Sequence, residues 1–497
     1  MVSLQLHGVG VAWATAAPLF DSVSLVLGGG FYGLVGANGA GKTTLLSILA
    51  GTLAPHAGKV TRLPRDAIVA YCRQTVEACD DEVLALVGRD DGLAAELRGR
   101  LGLSPDMPAR WSTLSPGERK RWQIAAALVR EPDVLLLDEP TNHLDAKGRE
   151  LLLGALRRFA GLAVVVSHDR GLLDALTTAT IRIHQGTVRC WPGRYSAARE
   201  QWERERAHAE AEHQAARERV REMEAQVAAA RRLQAATARG TSRSARMKNK
   251  HDSDARGILA ATKAQWAESR AGRQVASART DLASARKAVP AIDRDPTLGG
   301  RIFATYTRAP TPVLFRVDLP VIQRGDRVVL RDVRLAIGRD DRVRIEGANG
   351  AGKTTLLQAL LGSSAHPERV LYLAQDLPAS EVERVVGGML AADADSRGRW
   401  LSTFAALGSD PERILRADAA GLSPGEARKL VLAEALARQV WALVLDEPTN
   451  HLDLPSIERL EAALSAYPGC IVLVTHDDAF AKRTTNRSIH LVNGVVV

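Results

Sequence analysis

Four short motifs occur twice in this chain, in the same order and at almost the same separation. GANGAGKTT stands at residues 36–44 and again at 347–355, an offset of 311 measured at its lysine (353 − 42). LSPGE and LDEPTNHLD recur at an offset of 308, as do SHD at 167–169 and THD at 475–477 (476 − 168 = 308). Chance does not hold four motifs in register over such a distance, so the sequence calls for two homologous domains and rules out a single core. With 497 residues there is room for both and for a third segment between them.

That third segment is marked by its composition. From residue 197 to 289 Gly and Pro almost vanish, while the strong helix formers Ala, Arg, Glu and Gln dominate. Val220 and Val227 are seven apart, as are Val275, Leu282 and Val289, the spacing of a coiled-coil seam. The pattern breaks at Gly240-Thr241-Ser242, which predicts two helices folded back as a hairpin. A first helix of about 38 residues would span roughly 57 Å at 1.5 Å per residue. The expected domains are therefore 1–196, 197–289 and 290–497.

Charge collects in the same place. The chain has 66 basic and 57 acidic residues, a net charge of +9, and residues 197–289 hold 20 of the former and 12 of the latter, so +8 lies there. Arg239, Arg243, Arg246, Lys248 and Lys250 crowd the expected far end. An isolated basic run is ordinarily a solvated loop. A run at the tip of a long arm, holding nearly all the net charge, is expected instead to contact nucleic-acid phosphates. A membrane surface is a weaker match, since Met247 is the tip's one apolar anchor. Cys72, Cys79, Cys190 and Cys470 form no CxxC pair, so neither a zinc ribbon nor a disulfide framework is suggested, and a reducing cytoplasm fits. No apolar run approaches the roughly 18 to 20 residues that span a bilayer, and MVSLQLHGVG lacks a signal-peptide pattern.

The repeated motifs carry chemistry. In G-x4-G-K-T, Gly36, Gly39 and Gly41 let successive backbone N–H groups curl around phosphates at a helix N-terminus; Lys42 reaches the β- and γ-phosphates and Thr43 can ligate Mg²⁺. Gly347, Gly350, Gly352, Lys353 and Thr354 repeat the set, and Asn38, Thr44, Asn349 and Thr355 complete the two ATP-binding loops. Each loop follows an apolar strand (FYGLV, RVRIE) and precedes a helix (LLSILA, LLQALL). VLLLDE at 134–139 and ALVLDE at 442–447 are expected to be buried parallel strands whose carboxyl ends meet the ligand. Asp138 and Asp446 belong in the Mg²⁺ shell, while Glu139 and Glu447 orient or deprotonate the attacking water. The expected fold is α/β: two phosphate-loop domains joined by an antiparallel helical hairpin.

Phosphate loop, LSPGE, LDEPTNHLD and SHD in this order resemble the ATP-binding cassette ATPases over both repeats. The resemblance implies that Ser115, Gly117, Ser423 and Gly425 reach the γ-phosphate held by the opposite domain. It also implies glutamine-loop residues Gln74 and Gln375 at the Mg²⁺, D-loop residues Asp145 and Asp453, and switch histidines His168 and His476. Trp13 is the expected adenine-stacking aromatic, and the matching VIQRGDRVVL of the second repeat offers none. LSPGE departs from the usual LSGGQ, yet Ser115 suits a helix N-cap, Pro116 the first helical position and Glu118 a capping box, as do Ser423, Pro424 and Glu426.

TNHLD in both repeats and the basic hairpin are similar to the ABC-F subfamily, soluble twin-cassette proteins that act on the ribosome. Its members insert the inter-domain linker through the tRNA exit site toward the peptidyl-transferase centre, so rRNA and tRNA are the implied partners. A tandem ATPase subunit of a membrane importer is the competing class, but importers usually lack that histidine and have no evident use for the hairpin. DNA-repair and iron–sulfur ribosome-recycling cassettes would need cysteine clusters. Lys42 to Ser115 is 73 residues and Lys353 to Ser423 is 70, which leaves no room for the arm some translation factors carry in the first domain. The chain also stops at Val497 after IHLVNGVVV. Ribosome protection against antibiotics is thus the expected role, with a general translation factor as the alternative, in a monomer whose two cassettes pair intramolecularly.

Overall fold

The computed structural model describes residues 2–12, 18–240, 258–290, 306–325, 327–348, 350–416, 422–438 and 440–497. Contacts divide the chain into two compact units: Met1–Ala198 with Pro296–Val497, and Arg199–Asp295.

In the first unit the amino-terminal repeat contributes strands β1 (Ser3–Val11), β2 (Phe20–Leu27), β3 (Gly30–Gly36), β4 (Ala57–Leu63), β5 (Val69–Cys72), β6 (Val134–Asp138), β7 (Leu162–Val166), β8 (Ala179–His184) and β9 (Thr187–Pro192). They form an antiparallel sheet, β2-β1-β4, and a six-stranded sheet, β5-β6-β7-β3-β8-β9, parallel except for β9. VLLLD of β6 and LAVVV of β7 are buried at every position, as strands covered on both faces must be. Their side chains alternate between two cores: Val134 and Leu136 enter one, Leu135 and Leu137 the other. The strand order sets β6, β7 and β3 side by side, so Asp138-Glu139, Ser167-His168 and the phosphate loop emerge together at their carboxyl ends.

The carboxy-terminal repeat builds one eight-stranded sheet, β10-β11-β17-β16-β12-β15-β14-β13, from β10 (Val313–Arg324), β11 (Arg327–Gly338), β12 (Arg342–Gly347), β13 (Val370–Leu373), β14 (Ala442–Asp446), β15 (Cys470–Val474), β16 (Arg487–Val492) and β17 (Val495–Val496). Here β14, β15 and β12 are the neighbours. The register pair Arg331↔Val495 joins the β10–β11 hairpin to the main sheet, whereas β1, β2 and β4 form a sheet apart.

The two repeats meet through buried charge. Arg170 Nη1, on helix Arg170–Leu176, lies 2.8 Å from Glu461 Oε2 on helix Leu454–Ala466, with only 8% and 4% of the side chains exposed. Arg483 Nη1 approaches the other oxygen of Glu461 at 2.9 Å.

The second unit consists of helices Tyr195–Gly240, whose residues from Arg199 onward belong to it, and Ile258–Lys287. The first runs 46 residues, longer than the spacing suggested, because helix formers begin directly after Pro192-Gly193. Val227 and Val275 of the expected seam are buried, together with Ala271. Arg286 Nη2 donates to Glu224 Oε1 at 2.7 Å and His213 Nδ1 lies 2.8 Å from the Pro290 carbonyl, so the arms run antiparallel. Arg239 is exposed in the last turn of the long helix; Arg243, Arg246, Lys248 and Lys250 lie outside the described residues. Among the described residues no helix is long and apolar enough to cross a membrane.

Glu461→Ala strips the buried Arg170 of its counter-ion and should cost about 3–5 kcal/mol, because an uncompensated charge is left inside. Thermal unfolding of the full chain should register this as a drop of several degrees, far more than an exposed Glu→Ala produces.

Candidate nucleotide sites

Each phosphate loop is shaped by glycines that no other residue replaces cheaply. Gly41 and Gly352 adopt left-handed φ values of 99° and 100°; a Cβ there would stand 2.9 Å from Phe20 Cε1 and 2.7 Å from Val329 Cγ1. Both are N-caps without a side-chain cap, so the first-turn amides of helices Lys42–Ala50 and Lys353–Gly362 remain free for an anion. Lys42 Nζ donates to the Gly36 and Ala37 carbonyls at 2.9 and 3.0 Å, and Lys353 Nζ to those of Gly347 and Ala348 at 2.8 and 3.1 Å. Thr43 Oγ1 donates to Asp138 Oδ2 and Thr354 Oγ1 to Asp446 Oδ2, both at 2.8 Å. A hydroxyl beside a carboxylate is a hard-oxygen pair of the kind that suits Mg²⁺ when phosphates complete the shell.

The next residue along each strand end breaks the backbone rule. Glu139 and Glu447 have φ of 45° and 48°, uncommon for side-chain-bearing residues and costing about 1–3 kcal/mol each. Their carboxylates turn to the neighbouring switch segment. Glu139 Oε2 accepts from His168 N at 3.3 Å and Oε1 lies 3.0 Å from His168 Nε2; the matching distances for Glu447 and His476 are 3.4 and 3.5 Å. Burial raises the Glu139 carboxyl well above the carboxylate range and Glu447 to about 7, while it lowers the His168 imidazole and takes His476 down to about 4. A carboxylate that titrates near neutrality, beside a histidine held neutral, can receive a proton from water at physiological pH.

Each repeat also presents a face to the other. Asn38 N, in the first phosphate loop, donates to Asp453 Oδ2 at 2.6 Å, and Asn38 Nδ2 donates to the His451 carbonyl at 3.2 Å. A Cβ on signature Gly425 would lie 3.7 Å from the same Nδ2. On the opposite side a cleft of about 1140 Å³ brings Glu139, His143 and Arg149 of the first repeat to Lys353, Glu447 and His476 of the second. Gly347, Gly350, Gly352, Thr354, Thr355, Gln375 and Asp446 share its walls. Asp145 and Asp453 both cap the helices that follow them, through Gly148 N and Ser456 N.

Ser115 and Ser423 form the capping boxes that their motif suggested: Ser115 N and Oγ donate to Glu118 Oε2 at 2.8 and 2.7 Å, Ser423 N and Oγ to Glu426 Oε2 at 3.0 and 2.8 Å. Gly117 and Gly425 have a packing reason that the motif did not reveal. A Cβ would sit 2.7 and 2.6 Å from the carbonyls of His143 and His451, so the TNHLD loop closes directly on the signature helix. Gln74 is exposed, and its carbonyl accepts from Lys120 Nζ at 3.4 Å. Trp13 and Asn349 lie outside the described residues.

Sequence reasoning overlooked Lys120 and Arg428. They are 308 apart and only 3% and 2% exposed. Lys120 Nζ donates to the Asp138 carbonyl at 2.9 Å and to that of Arg73; Arg428 donates to the carbonyls of Glu447, at 3.3 Å, and Gln375. Each cation ties the glutamine loop to the end of the acidic strand. A cation repeated at the same offset on an otherwise buried helix was the available signal.

Two phosphate loops, each faced by a loop from the other repeat, define a twin-cassette nucleotide-binding ATPase. The ABC transporter family model matches residues 21–142 and 330–450. The tylosin resistance ATP-binding protein TlrC of Streptomyces fradiae is 32% identical over 99% of this chain and 98% of its own length. The ribosome protection protein VmlR of Bacillus subtilis is 30% identical over 94% and 82%, and the energy-dependent translational throttle protein EttA of Escherichia coli 28% identical over 96% and 90%. Among solved structures, an RNase-L inhibitor superposes with a TM-score of 0.61 over 99% of this chain and 89% of its own at 19% identity, a likeness of fold. The chain belongs to the ABC-F group of ATP-binding cassette ATPases, and it binds and hydrolyses ATP.

Replacing Lys42 or Lys353 by Ala should weaken one ATP site and spare the other. A charge-assisted contact of about 1.5–3 kcal/mol predicts a loss of roughly 10- to 100-fold at the altered site, read by equilibrium dialysis as one of the two nucleotides lost at limiting ATP.

Proposed function

We propose that this protein binds the ribosome with its cassettes closed on ATP, directs the basic tip of its hairpin toward the peptidyl-transferase centre, and so protects the ribosome from antibiotics. The observation that carries this reading is the hairpin itself: a 46-residue helix and its 30-residue partner, in a segment whose charge is 20 basic to 12 acidic residues. Two relatives named for tylosin resistance and for ribosome protection align along most of their own lengths, which supports the protective role. The relative named as a translational throttle supports the alternative of a general translation factor.

In this reading Thr43, Gln74 and Asp138, and likewise Thr354, Gln375 and Asp446, would hold Mg²⁺, which would neutralise phosphate charge during hydrolysis. The glycines, lysines and threonines of residues 36–44 and 347–355 cradle the phosphates, with Asn38 and Asn349 among them, and Trp13 stacks on the base at the first site. Ser115 and Gly117, and Ser423 and Gly425, approach the γ-phosphate from the opposite cassette. Glu139 and Glu447 orient and deprotonate the attacking water, and His168 and His476 sense the γ-phosphate. ATP, binding best to the closed form, holds the ribosome-bound population, and hydrolysis releases it. Arg239, Arg243, Arg246, Lys248 and Lys250 meet rRNA and tRNA phosphates.

Glu139→Gln with Glu447→Gln should slow ATP hydrolysis by roughly 10²- to 10⁴-fold while leaving ATP bound. This double variant should cosediment with 70S ribosomes only when ATP is present, and should lose that binding when residues 239–250 are deleted. The unaltered protein, which can leave the ribosome after hydrolysis, should restore drug-inhibited translation in vitro. Cosedimentation without drug rescue would favour the translation factor. No ribosome binding, with ATPase activity stimulated instead by membrane proteins, would sink the reading and promote the importer subunit.

A further inference from the structure

The two nucleotide sites are not equally supported from across the interface. Arg149 lies on helix Ala146–Leu156, one turn after Asp145; its counterpart 308 residues on is Ile457, which is 2% exposed and carries no donor. Arg149 Nη1 donates to the backbone carbonyl of His476 at 2.7 Å, and its Nε lies 3.5 Å from Asp169 Oδ2. Asp169 in turn caps helix Arg170–Leu176 by accepting from Leu172 N at 3.0 Å. The guanidinium therefore sits between the switch segments of both cassettes, on the wall of the cleft that holds Lys353 and Glu447. The planar fork of a guanidinium loses little freedom when bound. His476 N reaches Glu447 Oε2 at 3.4 Å, so whatever fixes the His476 peptide also fixes the carboxylate beside it.

We infer that Arg149 is a positioning residue for the second ATP site: closure of the cassettes brings it to the His476 backbone, so that turnover at the Lys353–Glu447 site depends on a contact with no counterpart among the described residues at the Lys42–Glu139 site. The inference rests on assigning Glu447 and His476 to that site. Its chemistry is general. A charged donor that arrives only when two domains close makes hydrolysis conditional on closure, and it acts on kcat rather than on ground-state binding.

The test uses the full chain in two backgrounds, Glu139→Gln, where the second site turns over, and Glu447→Gln, where the first does. Arg149→Met keeps the length and apolar stem of the side chain, and Arg149→Lys keeps a charged donor. In the Glu139→Gln chain Arg149→Met should lower kcat by roughly 10- to 100-fold with little change in KM for ATP, as the loss of one charged hydrogen bond predicts. Arg149→Lys should recover most of that loss, and the effect should be confined to this background. An equal fall in both backgrounds, a change in KM alone, or no change in either would overturn the inference while leaving the site assignment intact. If adding Glu447→Gln to the Glu139→Gln chain left its hydrolysis untouched, the assignment would be wrong and the inference would fall with it.

Discussion

A parallel sheet covered on both faces has almost no free surface, so polar chemistry is pushed to the ends of its strands. Everything at the two nucleotide sites follows from that constraint. β6 and β14 are buried at all five positions and then deliver two carboxylates in succession, one paired with a threonine hydroxyl, the other turned by a left-handed backbone toward a histidine. Buried carboxylates need compensation, and it comes from the backbone amides of the switch segments, from the phosphate-loop lysines and from the hidden cations Lys120 and Arg428. These contacts hold the phosphate loop, acidic strand and glutamine loop together.

Most of this was legible wherever function is written in short local patterns. The duplicated motifs gave two cassettes, the Gly-x4-Gly-Lys-Thr spacing gave the loops, and Ser-Pro-Gly-Glu gave the capping boxes at residues 115 and 423. The heptad positions gave a seam whose Val227 and Val275 are buried. What remained hidden are relations between distant segments. The bond from Asn38 to Asp453 spans 415 residues, and nothing in either motif announces it. Gly117 reads in sequence as a ligand contact, but its closest constraint is the His143 carbonyl 2.7 Å from where a Cβ would be. Lys120 drew no notice in the sequence, because burial of a charge is decided by the carbonyls around it.

Duplication hides divergence in the same way. Matching motifs suggest matching domains, yet one repeat separates its antiparallel strands into a sheet of their own while the other joins its hairpin edge-on through Arg331 and Val495. The cross-interface ion cluster is also one-sided: Arg170 and Glu461 meet, but the residues 308 positions from them are Asp478 and Leu153. Charges that face each other once cannot be copied by symmetry, so the two halves of the interface are held by different forces.

The capping boxes at Ser115 and Ser423 have a consequence of their own. In each, a glutamate carboxylate already occupies the serine's hydroxyl and amide, the groups that an approaching phosphate would need. The chain thus carries a resident anion at the start of each signature helix. A ligand oxygen gains the serine hydroxyl only by displacing Glu118 or Glu426, one negative charge exchanged for another at the start of a helix. Any anion that sought the serine hydroxyl would therefore meet a competition rather than an open donor, and only a strongly held one would win it.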